Sequence, residues 1–372
     1  MKKKLEDLGF KIIVGIVALV IFISAIYYAN DGFRRDDTIN VHHETARIVD
    51  VLAVDVTANN DGIVQGEMQV IVEIETGAYR DQQIEITHFI NQLTMQELEE
   101  GDRVSVRITI IDREITSLQI QNPERRGVIF VFFAVFLLVL GLLGGKKGLL
   151  AIGSLAFTLI CIVFLLIPLV LRGYPVILTT FLILALVTIV SLTLLAGLRT
   201  KGIAAMIGCL VGLLITALLT HIAGNLAHIS GFHMEEIGLI LATTNLPTSQ
   251  ASGLFISGVL IAALGAIMDT AMTISSTIHE LRSNNKKMPL RRLFRSGLNV
   301  GRDTMGTMTT TLILAFAGTS LNMIILIYSG GTNLNQLLNS NFIVIEIIRS
   351  IAGSLGIILT IPVVAFISCL ME

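Results

Sequence analysis

Long apolar runs constrain this chain more than any other feature of its sequence. The protein has 372 residues, of which 53% are hydrophobic and only 15% are charged, whereas soluble domains carry about 25% charged residues. Each run reaches the roughly 20 residues that an α-helix needs to cross the hydrocarbon core of a bilayer. We therefore predict an α-helical polytopic membrane protein with about eight transmembrane helices. The predicted spans are residues 12–29, 127–144, 148–171, 175–197, 202–222, 252–278, 306–328 and 343–370.

The first apolar run is predicted to remain in the protein as a membrane anchor. It follows the basic sequence MKKKLEDLGFK. The run is long for the apolar core of a secretory signal, and no clear small-residue cleavage site follows it. Residues 1–29 are therefore interpreted as a basic cytoplasmic N-terminus with the first transmembrane helix.

Residues 30–126 differ from the rest of the chain in composition and pattern. They hold 19 acidic and 9 basic residues, whereas residues 127–372 hold 7 acidic and 13 basic residues. Five short segments alternate apolar and polar residues and are rich in Val, Ile and Thr, which is typical of strands. We predict a small all-β domain of the OB-like barrel type, with a short helix or turn at TMQELEEGD. The predicted strands are ETARIVDVLAV, GEMQVIVEIETG, QQIEITHFI, DRVSVRITIID and EITSLQIQN.

Basic residues between the spans predict the orientation of the membrane domain, residues 127–372. Cytoplasmic loops carry an excess of Lys and Arg. With eight spans, the linkers 145–147, 198–201 and 279–305 fall on one side, and they contain nearly all the basic residues of this domain. We therefore expect both termini in the cytoplasm and the β domain outside, with the protein in the plasma or inner membrane.

The segment HIAGNLAHISGFHMEEIGLILATTNLPT, residues 221–248, fits neither a span nor a free loop. Its apolar part is too short to cross a bilayer. We predict an outer re-entrant or interfacial segment that stops at Pro247. Its histidines and glutamates are spaced too loosely to predict a metal site, so we interpret them as surface residues. They are His221, His228, His233, Glu235 and Glu236.

One predicted span carries a carboxylate among hydroxyl side chains. In GAIMDTAMTISSTIHE, the residues Asp269, Thr273, Ser276 and Glu280 recur at helical spacing and form one stripe. Asp269 is expected near the middle of the membrane, where a carboxylate that faces lipid costs roughly 2.5 kcal/mol or more. The sequence therefore predicts a transport or ion site at Asp269, with Thr273 and Ser276 beside it.

Hydroxyl groups of the next predicted helix extend this site. Thr307 and Thr310 of DTMGTMTTTLILAF are expected at the depth of Asp269, and oxygen ligands of this kind suit a proton or a hard cation. A structural alternative stays open, because membrane Ser and Thr residues also bond the carbonyl one turn back and polar side chains hold helices together. Asp303 alternatively serves as the N-cap of this helix.

A polar pair, a basic loop and a glycine pair complete the candidate residues. Glu346 and Arg349 are three residues apart and can pair on one helical face, either as a structural pair or as a holder for an anionic solute. Gly208 and Gly212 form a GxxxG pattern, which predicts close helix packing. The loop 279–305 is predicted to face anionic lipid, although the orientation rule alone also explains its charge. Its basic residues are Arg282, Lys286, Lys287, Arg291, Arg292 and Arg295.

Motifs for enzymatic chemistry are not visible in the sequence. GLLGGKKG lacks the spacing of a phosphate-binding loop, and HELRS is not the HExxH zinc motif. Asp269 has no second aspartate at its depth, as an intramembrane aspartyl protease requires. Cys161, Cys209 and Cys369 lie in apolar runs, where we expect buried thiols. We predict no enzyme, no catalytic residue, no metal and no cofactor.

Three segments give the chain a resemblance to a known family. They are LGAIMDTAMTISSTIHEL (264–281), NVGRDTMGTMTTTLILAFAG (299–318) and PERRGVIFVFFAVF (123–136). With these segments the chain resembles the YibE/F-like family of multipass membrane proteins, from about residue 45 onward. The resemblance implies an integral membrane protein with an extracytoplasmic domain, and it implies a location and an architecture rather than a mechanism.

Two functions from different classes fit these features. The first is a secondary transporter or permease that uses Asp269 for ion or proton coupling. The second is a non-enzymatic accessory, sensor or assembly protein whose extracytoplasmic β domain binds a partner, with Asp269 holding helices together. The expected partners are the lipid bilayer, a small solute or ion, and a homo-oligomer or partner membrane protein, but no nucleic acid.

Overall fold

Two compact units make up the protein. The structure is a computed structural model. One unit, called the β unit, is Phe33–Val139, and the other, called the helical unit, combines Met1–Gly32 with Leu140–Glu372. The described residues are 22–31, 40–58, 64–90, 98–111, 114–229, 237–244, 246–331 and 333–372.

Five antiparallel strands form the sheet of the β unit, in the spatial order β3-β2-β1-β4-β5. All five predicted strands are present, because alternating Val, Ile and Thr side chains suit a sheet with one buried face. Residues 94–97 of the predicted helix or turn TMQELEEGD lie outside the described residues, and Glu100 and Gly101 form a turn. The strands are β1 (Asn40–Ala58), β2 (Val64–Ile74), β3 (Gln83–Ile90), β4 (Arg103–Ile111) and β5 (Glu114–Pro123).

Strand β1 curves the sheet into a half-barrel. It is 19 residues long, and it pairs with β2 along Ala46–Ala58 and with β4 along Asn40–Arg47. Register shifts between Ile48 and Asp50 and between Val51 and Ala53 mark irregularities, which bend a strand and increase its twist. At the far edges, Cα atoms of β3 and β5 come within 8 Å of each other.

The concave face of the sheet buries an apolar core that includes one histidine. Ile48, Val70, Val106 and Ile108 are fully buried there. His88 on β3 faces the same core and is only 7% exposed. Burial lowers the pKa of His88 below its usual value, because a charged ring would lose its hydration.

Acidification is expected to destabilise the β unit through His88. Below about pH 6.5 the unfolded chain protonates this ring while the folded sheet resists protonation, so stability falls as the pH drops from 7 toward 5. Infrared spectroscopy of the full chain in detergent would follow the melting of the sheet. The substitution His88→Phe should remove most of this pH dependence. The substitution His42→Gln, at an exposed side chain of β1, should leave the pH dependence intact. An unchanged pH dependence in the His88 variant would contradict this assignment.

The helical unit and the segment that leads into it are mostly α-helical. Residues 22–30 form α1. Helix α3 begins at Ile167, directly after a short π-helical stretch, Ile162–Leu166, and Pro168 lies in its first turn. The other helices are α2 (Arg126–Cys161), α3 (Ile167–Leu171), α4 (Val176–Ala196), α5 (Thr200–Leu226), α6 (Ile237–Thr243), α7 (Ala251–Asn284), α8 (Leu290–Thr319), α9 (Leu321–Ser329), α10 (Leu334–Leu338) and α11 (Asn341–Met371).

Several of these helices are long and apolar enough to cross a membrane. Among the described residues, five helical stretches meet that requirement, or six if α8 and α9 form one span. Helices α8 and α9 meet at an angle of 58°, so the predicted span 306–328 is bent within its length. Helix α6 has only seven residues, which is too short to cross a bilayer. The interfacial or re-entrant position of segment 221–248 stays a prediction, and residues 230–236 and 245 lie outside the described residues.

Helix α2 turns sharply at Gly145. This residue has a φ of 52° and a ψ of −133°, which glycine adopts without a steric penalty. A β-carbon on Gly141 would lie 3.8 Å from side-chain atoms of both Leu149 and Ile152. In a continuous helix those residues would lie about 12 Å or more along the axis. The chain therefore reverses direction between two apolar stretches.

Helices α4, α5, α7 and α11 form the centre of the bundle, and α8 packs on α7 and α11. Helix α5 is antiparallel to its neighbours, because Gly212 lies beside Ile267 and Gly224 lies beside Phe255. The first residues of α4 and α7 therefore meet at one end, where the Gln250 side chain donates to the Gly173 carbonyl at 3.1 Å.

The opposite end of the bundle collects basic residues, and we call it the basic end. The Ser275 hydroxyl donates to the Lys201 carbonyl at 2.6 Å. The Glu372 carboxylate contacts His279 Nδ1 at 2.5 Å and accepts from the Thr200 hydroxyl at 2.9 Å. The linkers 198–201 and 279–305 thus lie at the same end, as the predicted topology requires.

The predicted basic loop 279–305 is wrong in extent. Helix α7 continues to Asn284 and α8 begins at Leu290, so only residues 285–289 connect them. Lys and Arg are good helix formers in water, and therefore both helices continue beyond the apolar residues that a bilayer requires. Arg282 donates to the Met288 carbonyl at 2.7 Å and holds this short turn.

Glycines allow α5 and α11 to pack closely. Gly208 and Gly212 both face α11, in agreement with the predicted GxxxG contact, and β-carbons at these positions would overlap Val364 and Thr360. Gly356 of α11 leaves room for the Thr216 side chain in the same way. Small residues let membrane helices approach and gain van der Waals contact where lipid removes any hydrophobic gain.

Candidate functional site

The predicted stripe of α7 lies on the outer surface of the bundle. Asp269 and Thr273 are exposed and Ser276 is half-buried. On the opposite side of α7, Ile267, Ala271 and Ile274 are fully buried in the bundle. Helical periodicity explains this. Successive residues are about 100° apart around the helix axis, so residues three or four apart share one face, and the polar stripe lies opposite to the apolar face.

Helix α8 also exposes polar residues. Its buried side consists of Leu293, Gly297, Gly301 and Leu312, which face α7 and α11. Its exposed side carries charged and hydroxyl residues over about five turns. We call the exposed stripes of both helices the polar face. Its members are Gly265, Asp269, Thr273, Ser276 and Glu280 of α7 and Arg295, Asn299, Arg302, Asp303, Gly306, Thr307 and Thr310 of α8.

Helices α7 and α8, which carry the two stripes, run in opposite directions and contact each other through their buried sides. Gly297 lies against Ile278, and Gly301 lies against Ile274. Residues of the two helices are called level when they lie at the same position along the helix axes. Since each residue advances both helices by about 1.5 Å, these two contacts determine which other residues are level. Asp269 is level with Gly306 and next to the level of Thr307, which agrees with the predicted common depth.

Among the described residues, no hydrogen bond joins the predicted site residues at this common depth. The Thr307 hydroxyl donates to the Thr304 carbonyl of its own helix at 2.9 Å. In the described part of the chain, the Asp269 carboxylate has no hydrogen-bond or ion-pair partner. One chain therefore presents the predicted oxygen groups without assembling them into a closed site.

The N-cap alternative for Asp303 is wrong. Helix α8 begins at Leu290, and Pro289 occupies the capping position. Asp303 lies more than three turns into the helix, where every backbone N–H is already bonded. Its exposed carboxylate belongs to the polar face.

The depth of Asp269 follows from the contacts at the basic end. Ser275 is level with Lys201, the second residue of α5. Asp269 is six residues, or about 9 Å, farther into the bundle. The hydrocarbon core of a bilayer is about 30 Å thick. A position about 9 Å inside the basic end therefore lies in the half of the membrane nearer to that end.

The predicted pair Glu346 and Arg349 is formed. Their side chains join at 2.6 Å and are 16% and 20% exposed. The Arg349 guanidinium also lies 5.7 Å from the centre of the Phe255 ring, a contact that the sequence pattern did not predict. Within the described part of the chain, the buried Arg349 Nε has no hydrogen-bond partner, so the guanidinium retains an unused donor near the end opposite to the basic end.

The bundle contains buried hydroxyls that sequence analysis missed. Thr180 and Ser257 join α4 and α7 at 2.7 Å, and both are buried. The Thr270 hydroxyl is 1% exposed and has no hydrogen-bond partner among the residues that the structure describes. Small and hydroxyl residues repeated along α4 and α5 were the available signal for such contacts, because these residues are enriched where membrane helices meet.

The β unit has its own charged cleft. Glu75 pairs with Arg47 at 2.9 Å and with Arg103 at 3.1 Å. The cleft has a volume of about 390 Å³ and alternates acidic and basic groups. Glu73, Thr76, Arg80 and Asp81 complete its lining.

Five of the six basic residues predicted to face lipid are exposed at the basic end. They are Lys286, Lys287, Arg291, Arg292 and Arg295. Arg282 differs, since its guanidinium is bonded to the Met288 carbonyl and lies 3.3 Å from the Glu372 carbonyl.

Fold and surface together define a multipass α-helical membrane protein with a separate antiparallel β unit. The chain belongs to the YibE/F-like protein family, whose model matches residues 132–372. The predicted resemblance is therefore confirmed, although the match begins at residue 132 rather than near residue 45. Comparison with curated proteins and with solved structures finds no match.

Proposed function

We propose that this protein is a secondary transporter or permease in which Asp269 couples solute movement to a proton or sodium gradient. The unpaired carboxylate of Asp269 on α7, about 9 Å inside the basic end, carries this proposal. Ionisable groups at such depth are costly and commonly belong to ion or proton pathways. Thr273, Ser276, Thr307 and Thr310 supply further oxygen atoms along the path.

The proposed membrane topology has eight spans, with both termini in the cytoplasm and the β unit outside. The turn at Gly145 supports a division of Arg126–Leu171 into two spans. Treating α8 and α9 as one bent span adds one more span, and the predicted span 12–29 completes the eight. The collection of Arg and Lys residues at the basic end favours a cytoplasmic position for that end.

We also propose that the β unit is an OB-like barrel. Such a barrel has strands β1, β2 and β3 paired in sequence, β1 also paired with β4, and β4 joined to β5 as a hairpin. The sheet has these pairings. The long, irregular β1, which pairs on both sides, supports the same conclusion.

A gradient is the proposed energy source, because the sequence offers no phosphate-binding loop for ATP. In this mechanism Asp269 takes up a proton or a hard cation in one conformation and releases it in another. The hydroxyl groups of the polar face replace part of the water around the ion or solute. The protein therefore acts as a carrier and not as an enzyme.

Purified protein in vesicles tests the proposal directly. Vesicles would contain a pH-sensitive or sodium-sensitive dye, and pools of small solutes would be added under an imposed gradient. We expect a solute-dependent change in the internal ion concentration that protein-free vesicles do not show. Absence of any such change across the solute pools and both ions would count against transport.

The alternative function is a non-enzymatic accessory, sensor or assembly protein. The charged cleft at Glu75 of the β unit favours this possibility, since paired acidic and basic groups suit a polar partner. In that case Asp269 stabilises helix association. A binding partner retained by the full chain and lost on Glu75→Gln, without any ion flux, would support the alternative.

A further inference from the structure

The polar face cannot be in contact with lipid along its whole length. Asp269, Thr273 and Thr307 are exposed on the described surface of a single chain. A lipid-facing carboxylate costs roughly 2.5 kcal/mol or more, and each further unpaired polar group adds to that cost. The face therefore needs a polar partner or water.

Other apolar segments of this chain do not offer a suitable partner. Residues 127–144 contain no polar side chain at all, and residues 12–29 offer only Ser24, Tyr27 and Tyr28. Neither segment has a basic residue. Neither segment therefore supplies a covering element with positive charge.

A second copy of this chain has the required chemistry at the required depths. Two copies related by a two-fold axis along the membrane normal keep every residue at its own depth. Such symmetry makes residue i of one copy contact residue j of the other, and j contact i. The α7 stripe of one copy then meets residues of the partner's α8 stripe at the same level.

One of these levels pairs an acid with a base, and the next places a hydroxyl beside a base. Glu280 of α7 is level with Arg295 of α8, and Thr273 is level with Arg302, as the Gly297–Ile278 contact requires. Asp269 is about one turn from the level of Arg302, within reach of a long guanidinium side chain. Gly265 provides space for close approach near Thr310. Charge complementarity of this kind fixes the register of an interface.

We infer that a second copy of this chain covers the polar face, with α7 of each copy packed against α8 of the other. The inference is independent of transport, because it follows from the cost and charge pattern of the face. If transport also occurs, the partner copy contributes Arg302 and hydroxyl groups beside Asp269. The solute path then lies between the two copies.

Cross-linking between copies tests this interface. Two versions of the full chain with different tags would be co-expressed, one with Glu280→Cys and the other with Arg295→Cys. Cys161, Cys209 and Cys369 are buried and so provide little background. In native membranes, we expect a short thiol cross-linker to give a product of twice the chain mass that carries both tags. Because the tags differ, a cross-link within one chain cannot produce it.

Matched variants separate a specific contact from random collision. Leu198 is 71% exposed at the basic end and lies near the level of Glu280, because Lys201 is bonded to Ser275. Leu198→Cys paired with Arg295→Cys should not give the product. Glu280→Arg should lower self-association in nanodiscs by at least about tenfold, because like charges at one level repel. Adding Arg295→Glu should restore it.

Failure of this interface is distinguishable from failure of transport. Equal cross-linking through Leu198, or a chain that is monomeric in nanodiscs with no product through Glu280 and Arg295, would overturn the interface. Flux from such monomers would leave transport standing. Conversely, a clear cross-link with no flux would leave the interface standing and remove transport.

Discussion

Asp269→Asn is expected to lower solute-coupled ion flux by at least about tenfold while the protein still folds. Asn keeps the size and shape of Asp, but it carries neither a charge nor a titratable proton. Loss of one interaction of a charged group, about 1.5–3 kcal/mol, corresponds to a roughly ten- to hundredfold effect. The measurement is the dye assay in vesicles, with equal amounts of wild type and variant.

Two control variants show whether the coupling role belongs to Asp269. Asp269→Glu keeps an ionisable group and should retain part of the flux. Glu280→Gln changes the same exposed stripe of α7 at the basic end, and it should reduce flux far less. Wild-type flux in Asp269→Asn would contradict coupling at this residue. Loss of folded protein in Asp269→Asn, measured by thermal melting, would support the structural role.

Gly356→Leu is expected to disrupt the bundle. A β-carbon at this position would already overlap the Thr216 side chain, and Leu adds three more carbon atoms. Overpacking of a filled core costs about 1–3 kcal/mol and occasionally more. We expect the thermal midpoint of the protein in detergent to fall by at least about 5 °C, or the folded protein to be lost altogether.

Controls for this prediction come from the same chain. Gly153 of α2 has no neighbouring atom within 4 Å of an added β-carbon, so Gly153→Leu should leave the thermal midpoint nearly unchanged. The exchange Gly356→Thr with Thr216→Gly moves the side chain across the interface and should recover much of the stability. Equal loss in Gly153→Leu would show that glycine removal, rather than helix contact, is responsible.

Local patterns predicted the elements of this protein well. Each of the five strands appears where Val, Ile and Thr alternate with polar residues, since alternate strand residues point to opposite faces. The Glu346–Arg349 pair forms because residues three apart lie on one face of a helix. Both results depend only on the geometry of a single element.

Predictions that involved the lengths of helices were less accurate. Hydropathy identifies the residues that suit lipid, but α7 continues to Asn284 and α8 begins at Leu290. The continuation is stable in water because Lys, Arg and Glu favour helix and because Gly297 and Gly301 pack beneath it. The supposed loop and the supposed cap at Asp303 were wrong for this reason.

The sequence by itself determined the helices and strands, the polar stripe on α7 and the collection of basic residues between the spans, because periodicity and charge act along a single element. Only the tertiary structure decided that this stripe points outward, since a period of 3.6 residues sets which side chains share a face but not which neighbour covers it. Contacts such as Gly297 with Ile278 then set the level of each residue. Those levels depend on how helices distant in sequence fit together, which no local pattern contains.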